Sequence, residues 1–184
     1  MTEPGSTPSA RESELLDKAY AYALAHGLAD LSLRPLAAAV GSSPRVLLFL
    51  FGSQDGLVRA LLRKAREDEL ALLGDVDGAD GLARAVRAVW TWLADERHRP
   101  LLTLWAEAYT RSLVDPDGPW AGFAEATVED WLEVLRRAQP ARDRRTARGT
   151  AERTLALAVL RGALLDLLAT GDVRRTTAAV HAFR

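Results

Sequence analysis

The stretch Leu31–Leu57, LSLRPLAAAVGSSPRVLLFLFGSQDGL, decides the fold. It reads as two short helices about a glycine turn, with a third helix starting directly after them. Ser32 stands where an N-cap belongs, because a hydroxyl there can accept from a free N–H of the first turn. Pro35 is tolerated so early in a helix, since first-turn N–H groups have no intrahelical partner. The first helix therefore spans about Leu33 to Val40. Gly41 takes the turn, where positive φ would strain a residue with a Cβ. Ser43-Pro44 opens the second helix with serine at the cap and proline at N1. Leu36, Ala37, Val40, Val46, Leu47, Leu50 and Phe51 can pack the two helices together. Ser42, Ser43, Pro44 and Arg45 are left at the outward N-terminal end, the part of a helix-turn-helix that enters the major groove of DNA.

Upstream, Leu15, Leu16, Ala19, Tyr20, Ala23 and Leu24 recur at helical spacing and predict a helix from about Arg11 to His26, closed by Gly27. Downstream, Ser53 caps a long helix from about Ser53 to Leu73. Its apolar stripe is Leu57, Val58, Leu61, Leu62, Ala65, Leu70 and Leu73, and Glu67, Asp68 and Glu69 read as its solvated face. Taken together, residues 15–62, LLDKAYAYALAHGLADLSLRPLAAAVGSSPRVLLFLFGSQDGLVRALL, resemble the N-terminal domain of the TetR family of transcriptional regulators. The matching order is a first helix ending in Gly27, a Ser-x-Arg helix, the turn Gly41-Ser42-Ser43, a recognition helix ending in Phe51, then Ser53 and Leu57.

The resemblance implies contacts to double-stranded DNA, a palindromic operator, from Ser32, Arg34, Ser42, Ser43, Pro44 and Arg45, and by position from Phe49 and Gln54. It also shows a departure. Where the family commonly carries tyrosine, histidine and lysine side chains for phosphates, this chain has Leu48, Leu50 and Gln54. Removing a phosphate-binding group weakens affinity for every DNA sequence alike. The alternative is therefore a TetR-like ligand-binding or protein-interaction module with weakened or lost DNA binding.

Composition bounds the rest. The net charge is −1, but residues 1–66 hold eight basic and six acidic side chains, a mild +2 at the end that would meet DNA. The chain has no cysteine and only three scattered histidines, His26, His98 and His181. It also lacks a glycine-rich phosphate loop, so neither an enzyme nor a metal or cofactor site is expected. MTEPGSTPSA at residues 1–10 is no secretion signal and reads as a disordered arm. No apolar run approaches the roughly 20 residues that cross a bilayer. No membrane association is expected, and the expected location is cytoplasmic. Gly74–Gly81, GDVDGADG, reads as a turn and lacks the spacing of a calcium loop.

Beyond that turn every segment reads helical: Leu82–Arg97, Pro100–Leu113, Trp120–Ala138, Arg142–Thr170, and a last helix from Asp172. The expected fold is all-α with about nine helices. Residues 11–52 form the helix-turn-helix domain and 53–184 a helical ligand-binding and dimerisation domain. All five tryptophans fall between residues 90 and 131. Trp90, Trp105, Tyr109, Trp120, Phe123 and Trp131 can either fill a bundle core or line a cavity for a small apolar or aromatic effector. The resemblance favours the cavity. Glu107 and Arg111 read as an i,i+4 pair, and the run Arg142–Arg153 as a solvated helix start. TLALAVLRGALLDLL, Thr154–Leu168, is apolar around nearly its whole circumference and must be buried on more than one side. A second copy could cover Leu157, Leu160, Leu164, Leu168 and Val180. The function these readings imply is that of a homodimeric, ligand-responsive DNA-binding regulator, a repressor.

Overall fold

The computed structural model describes residues 10–28, 31–73 and 81–184. The arm read at residues 1–10, apart from Ala10, and the aspartate-bearing turn at 74–80 lie outside the described residues. Among the described residues there are nine α-helices and no strand. They are α1 (Ala10–His26), α2 (Leu33–Ala39), α3 (Pro44–Phe51), α4 (Gln54–Leu73), α5 (Leu82–Leu93), α6 (Arg99–Val114), α7 (Phe123–Ala138), α8 (Ala147–Thr170) and α9 (Val173–His181). A short 3-10 turn, Glu96–His98, leads into α6. No helix among them is long and apolar enough to cross a membrane.

The first three helices pack as the leucine pattern requires. Leu15, Ala19 and Ala23 of α1, Leu36 and Ala37 of α2, Val40 and Leu47 are buried against Leu57 and Leu61 of α4. Each fully buried leucine contributes roughly 1.5–3 kcal/mol. Two polar contacts then tie this unit to its neighbours. The Gln54 side-chain amide donates to the Leu31 carbonyl at 2.7 Å. The Leu28 N–H donates to Glu107 Oε2 of α6 at 3.0 Å, just past Gly27 at φ +78°. Glu107 therefore joins the two halves of the molecule and makes no Arg111 pair.

α4 is shared. It packs on α1 and α3 at one end and on α6 and α7 further along. α8 is the axis of the second half, flanked by α5, α6, α7 and α9.

Several boundaries move from the sequence reading, each for a visible reason. The helix expected over 82–97 stops at Leu93, because the Asp95 carboxylate caps the next turn by accepting from Arg97 N–H. Gly122, at φ +75°, breaks the helix expected from Trp120, so α7 starts at Phe123. α8 starts at Ala147, where the Thr146 hydroxyl accepts from Gly149 N–H at 2.9 Å. The arginines around this start are not simply solvated. Arg144 donates to the carbonyls of Gln139 and Arg137, and Arg153 to Gln139 Oε1. Arg144 thereby satisfies two orphan carbonyls at the C-terminal end of α7. The buried Gln139 amide completes the cluster by donating to the Gly149 carbonyl at 2.8 Å.

Candidate nucleic-acid interface and aromatic cluster

The outward end of α3 is built by its cap. Ser43 has extended backbone and its hydroxyl accepts from Val46 N–H at 3.3 Å, with Pro44 at the first helical position. Ser43 and Arg45 are exposed, and Ser42 and Pro44 are partly so. Ser32 and Arg34 are exposed at the start of α2. The Ser32 side chain, however, makes no capping hydrogen bond. The cap expected there is a backbone one only, which leaves the hydroxyl outward. Gln54 is exposed but spends its amide N–H on the Leu31 carbonyl. Phe49 is 84% exposed, and Val46 and Leu48 beside it are more than a third exposed. An outward helix that is this apolar is unusual in a monomeric surface.

The aromatic residues do not form one group. Trp90 is buried and its indole N–H donates to the Thr177 hydroxyl of α9 at 2.9 Å. It belongs to the α5–α8–α9 packing, and its expected role in a ligand cavity is not what its surroundings build. Trp120 is buried in the α6–α7 connection, and Phe123 lines a surface cleft of about 250 Å³ between α4 and α7. What does come together is Trp105, Tyr109 and Trp131. Trp105 lies 5.1 Å from the Tyr109 ring and 6.1 Å from Trp131.

Two charged residues complete this cluster. Glu69 of α4, read from sequence as part of a solvated face, is only 4% exposed. Its Oε1 accepts from the Trp131 indole N–H at 2.6 Å. Burial pushes its carboxyl up to about 7, against the opposing effect of the Trp131 bond. The signal was present: Glu69 continues the i+4 series of Leu61 and Ala65 on the buried stripe of α4. Arg161 of α8 sits over the Tyr109 ring, 4.9 Å from its centroid, and Nη1 donates to the Tyr109 hydroxyl at 3.1 Å. Its Nε and Nη2 are buried without a partner, as is Trp105 Nε1. Burial holds the guanidinium below its ordinary value. α4, α6, α7 and α8 thus contribute to one packed cluster of aromatic rings with a buried carboxyl and an under-coordinated guanidinium.

The expected pairing face needs correcting in its residues. Leu157, Leu160, Leu164 and Val180 are buried inside the protomer itself, and Leu168 is partly buried. They face α5, α6, α7 and α9, which cover the inner side of α8. The outward side carries Leu155 (57% exposed), Ala158, Gly162, Leu165 (52% exposed) and Ala169, beside the exposed Val173 of α9. Because α8 is apolar on both sides, periodicity could not say which leucines point inward.

No protein-family model and no curated protein sequence matches the chain. Its fold is that of several solved structures. A TetR transcription regulator from Haloarcula marismortui superposes with a TM-score of 0.70 at 15% identity, covering 92% of both chains. The multidrug binding protein EbrR, in complex with proflavin, gives 0.69 at 22% identity and covers 95% of this chain and 99% of its own. SmeT, the repressor of the multidrug efflux pump SmeDEF of Stenotrophomonas maltophilia, gives 0.65 at 21% identity over 95% and 88%. With a helical architecture that superposes over nearly its whole length, the chain has the fold of the TetR-family transcriptional regulators.

Proposed function

We propose that this protein is a homodimeric, ligand-responsive DNA-binding transcriptional regulator of the cytoplasm, acting as a repressor and not as an enzyme. The observation that carries the reading is the capped, outward N-terminal end of α3, with Ser43 and Arg45 exposed on a three-helix unit. Such an end presents free N–H groups and one guanidinium to a DNA groove. Arg45 reads a guanine edge, Ser42, Ser43 and Pro44 lie at the groove, and Ser32 and Arg34 meet the backbone. Phe49 makes apolar contact there, and Gln54 at the start of α4 holds the Leu31 carbonyl just ahead of α2.

The outward face of α8, with Leu155, Leu165 and Val173 among alanines and Gly162, supports pairing with a second copy. A two-fold pair places two recognition helices about 34 Å apart, one turn of DNA, and so calls for a palindromic operator. The effector is assigned to the part of the chain that carries the aromatic cluster of Trp105, Tyr109 and Trp131. It releases DNA by favouring a conformation with a different spacing of the two α3 helices.

The test is selection of binding sites from random duplex DNA, followed by mobility shifts with wild type and Arg45→Ala. Enrichment of an inverted repeat is expected, with about a tenfold or greater drop in affinity for the variant, in keeping with one bidentate base contact. Unchanged binding by Arg45→Ala removes the assigned role.

A second reading is favoured by Phe49, Val46 and Leu48 at the surface of α3: a TetR-shaped interaction module that uses this apolar patch for a protein. A salt titration with generic duplex separates the two, since phosphate contacts give a negative slope of log affinity against log salt.

A further inference from the structure

A hollow of about 610 Å³ lies where α1, the far end of α4 and the start of α6 meet. Its walls include Tyr20 and Leu24 of α1, Asp68 of α4, Arg97 and His98 of the 3-10 turn, and Leu101 of α6. It stands on the seam between the three-helix unit and the second half of the molecule, apart from the aromatic cluster.

One wall carries a buried oxygen with nothing to bond. Tyr20 is 5% exposed, and its hydroxyl has no hydrogen-bond partner. Buried hydroxyls are ordinarily paired. The half-buried Asp68 carboxylate faces this hydroxyl from α4. Burial first, and then the charge of Asp68, hold the phenol above its ordinary value, so it stays protonated with its lone pairs uncommitted. Lys64 covers the Tyr20 ring at 5.4 Å and also faces Asp68, but its ammonium is held by Asp17 at 3.0 Å. Asp68 enters no ion pair among the described residues.

The other polar walls agree in sign. Arg97 turns its Nε and Nη2 edge onto the Asp95 carboxylate, which offsets its charge. The His98 Nδ1 lies 2.9 Å from the Trp92 carbonyl. A carbonyl only accepts, so Nδ1 carries the proton and Nε2 of the neutral ring is an acceptor. The uncommitted polar groups on these walls are therefore a carboxylate, a phenol oxygen and an imidazole nitrogen, and all three accept. Leu24 and Leu101 add hydrocarbon between them. Such a set complements a cation that has N–H groups and an apolar body.

We infer that this hollow binds a primary amine with an aliphatic body, its ammonium donating to the Asp68 carboxylate and the Tyr20 oxygen and its chain lying on Leu24 and Leu101. The site is additional to the effector region assigned above and does not depend on α3 meeting DNA. An anion is repelled by Asp68, and an uncharged chain leaves both oxygens unmet.

The experiment is calorimetric titration of the full-length protein with n-octylamine, octan-1-ol, octanoate and octyltrimethylammonium. Saturable binding of octylamine is expected, with affinity at least about tenfold weaker for the other three, since each lacks the charge or the N–H groups. Asp68→Asn keeps the shape without the charge and should bind octylamine about tenfold or more weakly. Tyr20→Phe removes the hydroxyl alone and should bind it about threefold to tenfold more weakly. Ligand-free, Tyr20→Phe should melt no lower than wild type, because the oxygen it removes has no partner. Ala21→Trp, at an exposed wall position, narrows the hollow and should block octylamine with little change in melting temperature.

Equal affinity for octylamine and octanol, no saturable octylamine binding, or unchanged binding by Asp68→Asn overturns the inference. Unchanged binding by both Tyr20→Phe and Ala21→Trp overturns it as well, whatever Asp68→Asn does. Mobility shifts on the selected duplex, run without amine, report on the DNA reading alone, so the failure of either is seen separately.

Discussion

Glu69 shows what one residue's surroundings do to its chemistry. A carboxyl with an ordinary value near 4.5 is pushed to about 7 by burial, so the folded state holds its proton where the unfolded chain has released it. Stability from this group is full below about pH 4.5 and declines as pH rises towards 7. The decline amounts to at most about 3 kcal/mol, from the size of the shift. Glu69→Gln should remove that dependence, because the amide oxygen still accepts from Trp131. Urea unfolding of both proteins at pH 5 and pH 8 checks it: the variant should gain on wild type at the higher pH. Gly27 and Glu107 belong to the same scale. Gly27 holds φ +78°, and a Cβ there would lie 3.2 Å from Glu107 Oε2. Gly27→Ala should cost about 1–3 kcal/mol of strain, read as a lowered urea midpoint with unchanged slope.

At the scale of elements, the caps separate two serines that look alike in sequence. Ser43 bonds Val46 N–H, whereas Ser32 bonds nothing in α2. Ser43→Ala should destabilise by about 1 kcal/mol, the usual worth of an N-cap. Ser32→Ala should stay within about 0.5 kcal/mol, as surface changes do. Thermal melts of the two variants decide this, and a drop at Ser32 equal to that at Ser43 would contradict the assignment. The register of α4 was legible from Leu57, Leu61 and Ala65, and its fourth member, Glu69, was hidden only by its charge. α8 was legible as a helix, but its N-terminus was not. Just before it, Arg144 turns back to cap α7, a demand from a neighbouring element that local pattern does not carry.

For the whole molecule, the proposed dimer depends on the outward side of α8. Leu165→Glu places a charge on that face and should shift sedimentation towards the single subunit. It should weaken operator binding by well over tenfold while leaving the fold's helical signal intact. Leu164→Glu, on the inner side, should instead unfold the domain, since an unpaired buried charge costs several kcal/mol. Dissociation by the second variant without loss of structure would reverse the assignment of faces.

The amino-acid order alone determined the all-helical class, the succession of α1, α2 and α3, the Ser43-Pro44 start of α3 and the turns at Gly27 and Gly41. These rest on local chemistry: capping, proline's missing N–H, and apolar spacing along one helix. Tertiary structure alone decided that Trp90 joins α9 rather than Trp105, that Glu69 and Arg161 join the aromatic cluster, and that Leu157, Leu160 and Leu164 face inward. Each of those outcomes depends on which neighbour covers a helix face. An apolar or amphipathic side chain fits several neighbours equally well until the helices are packed.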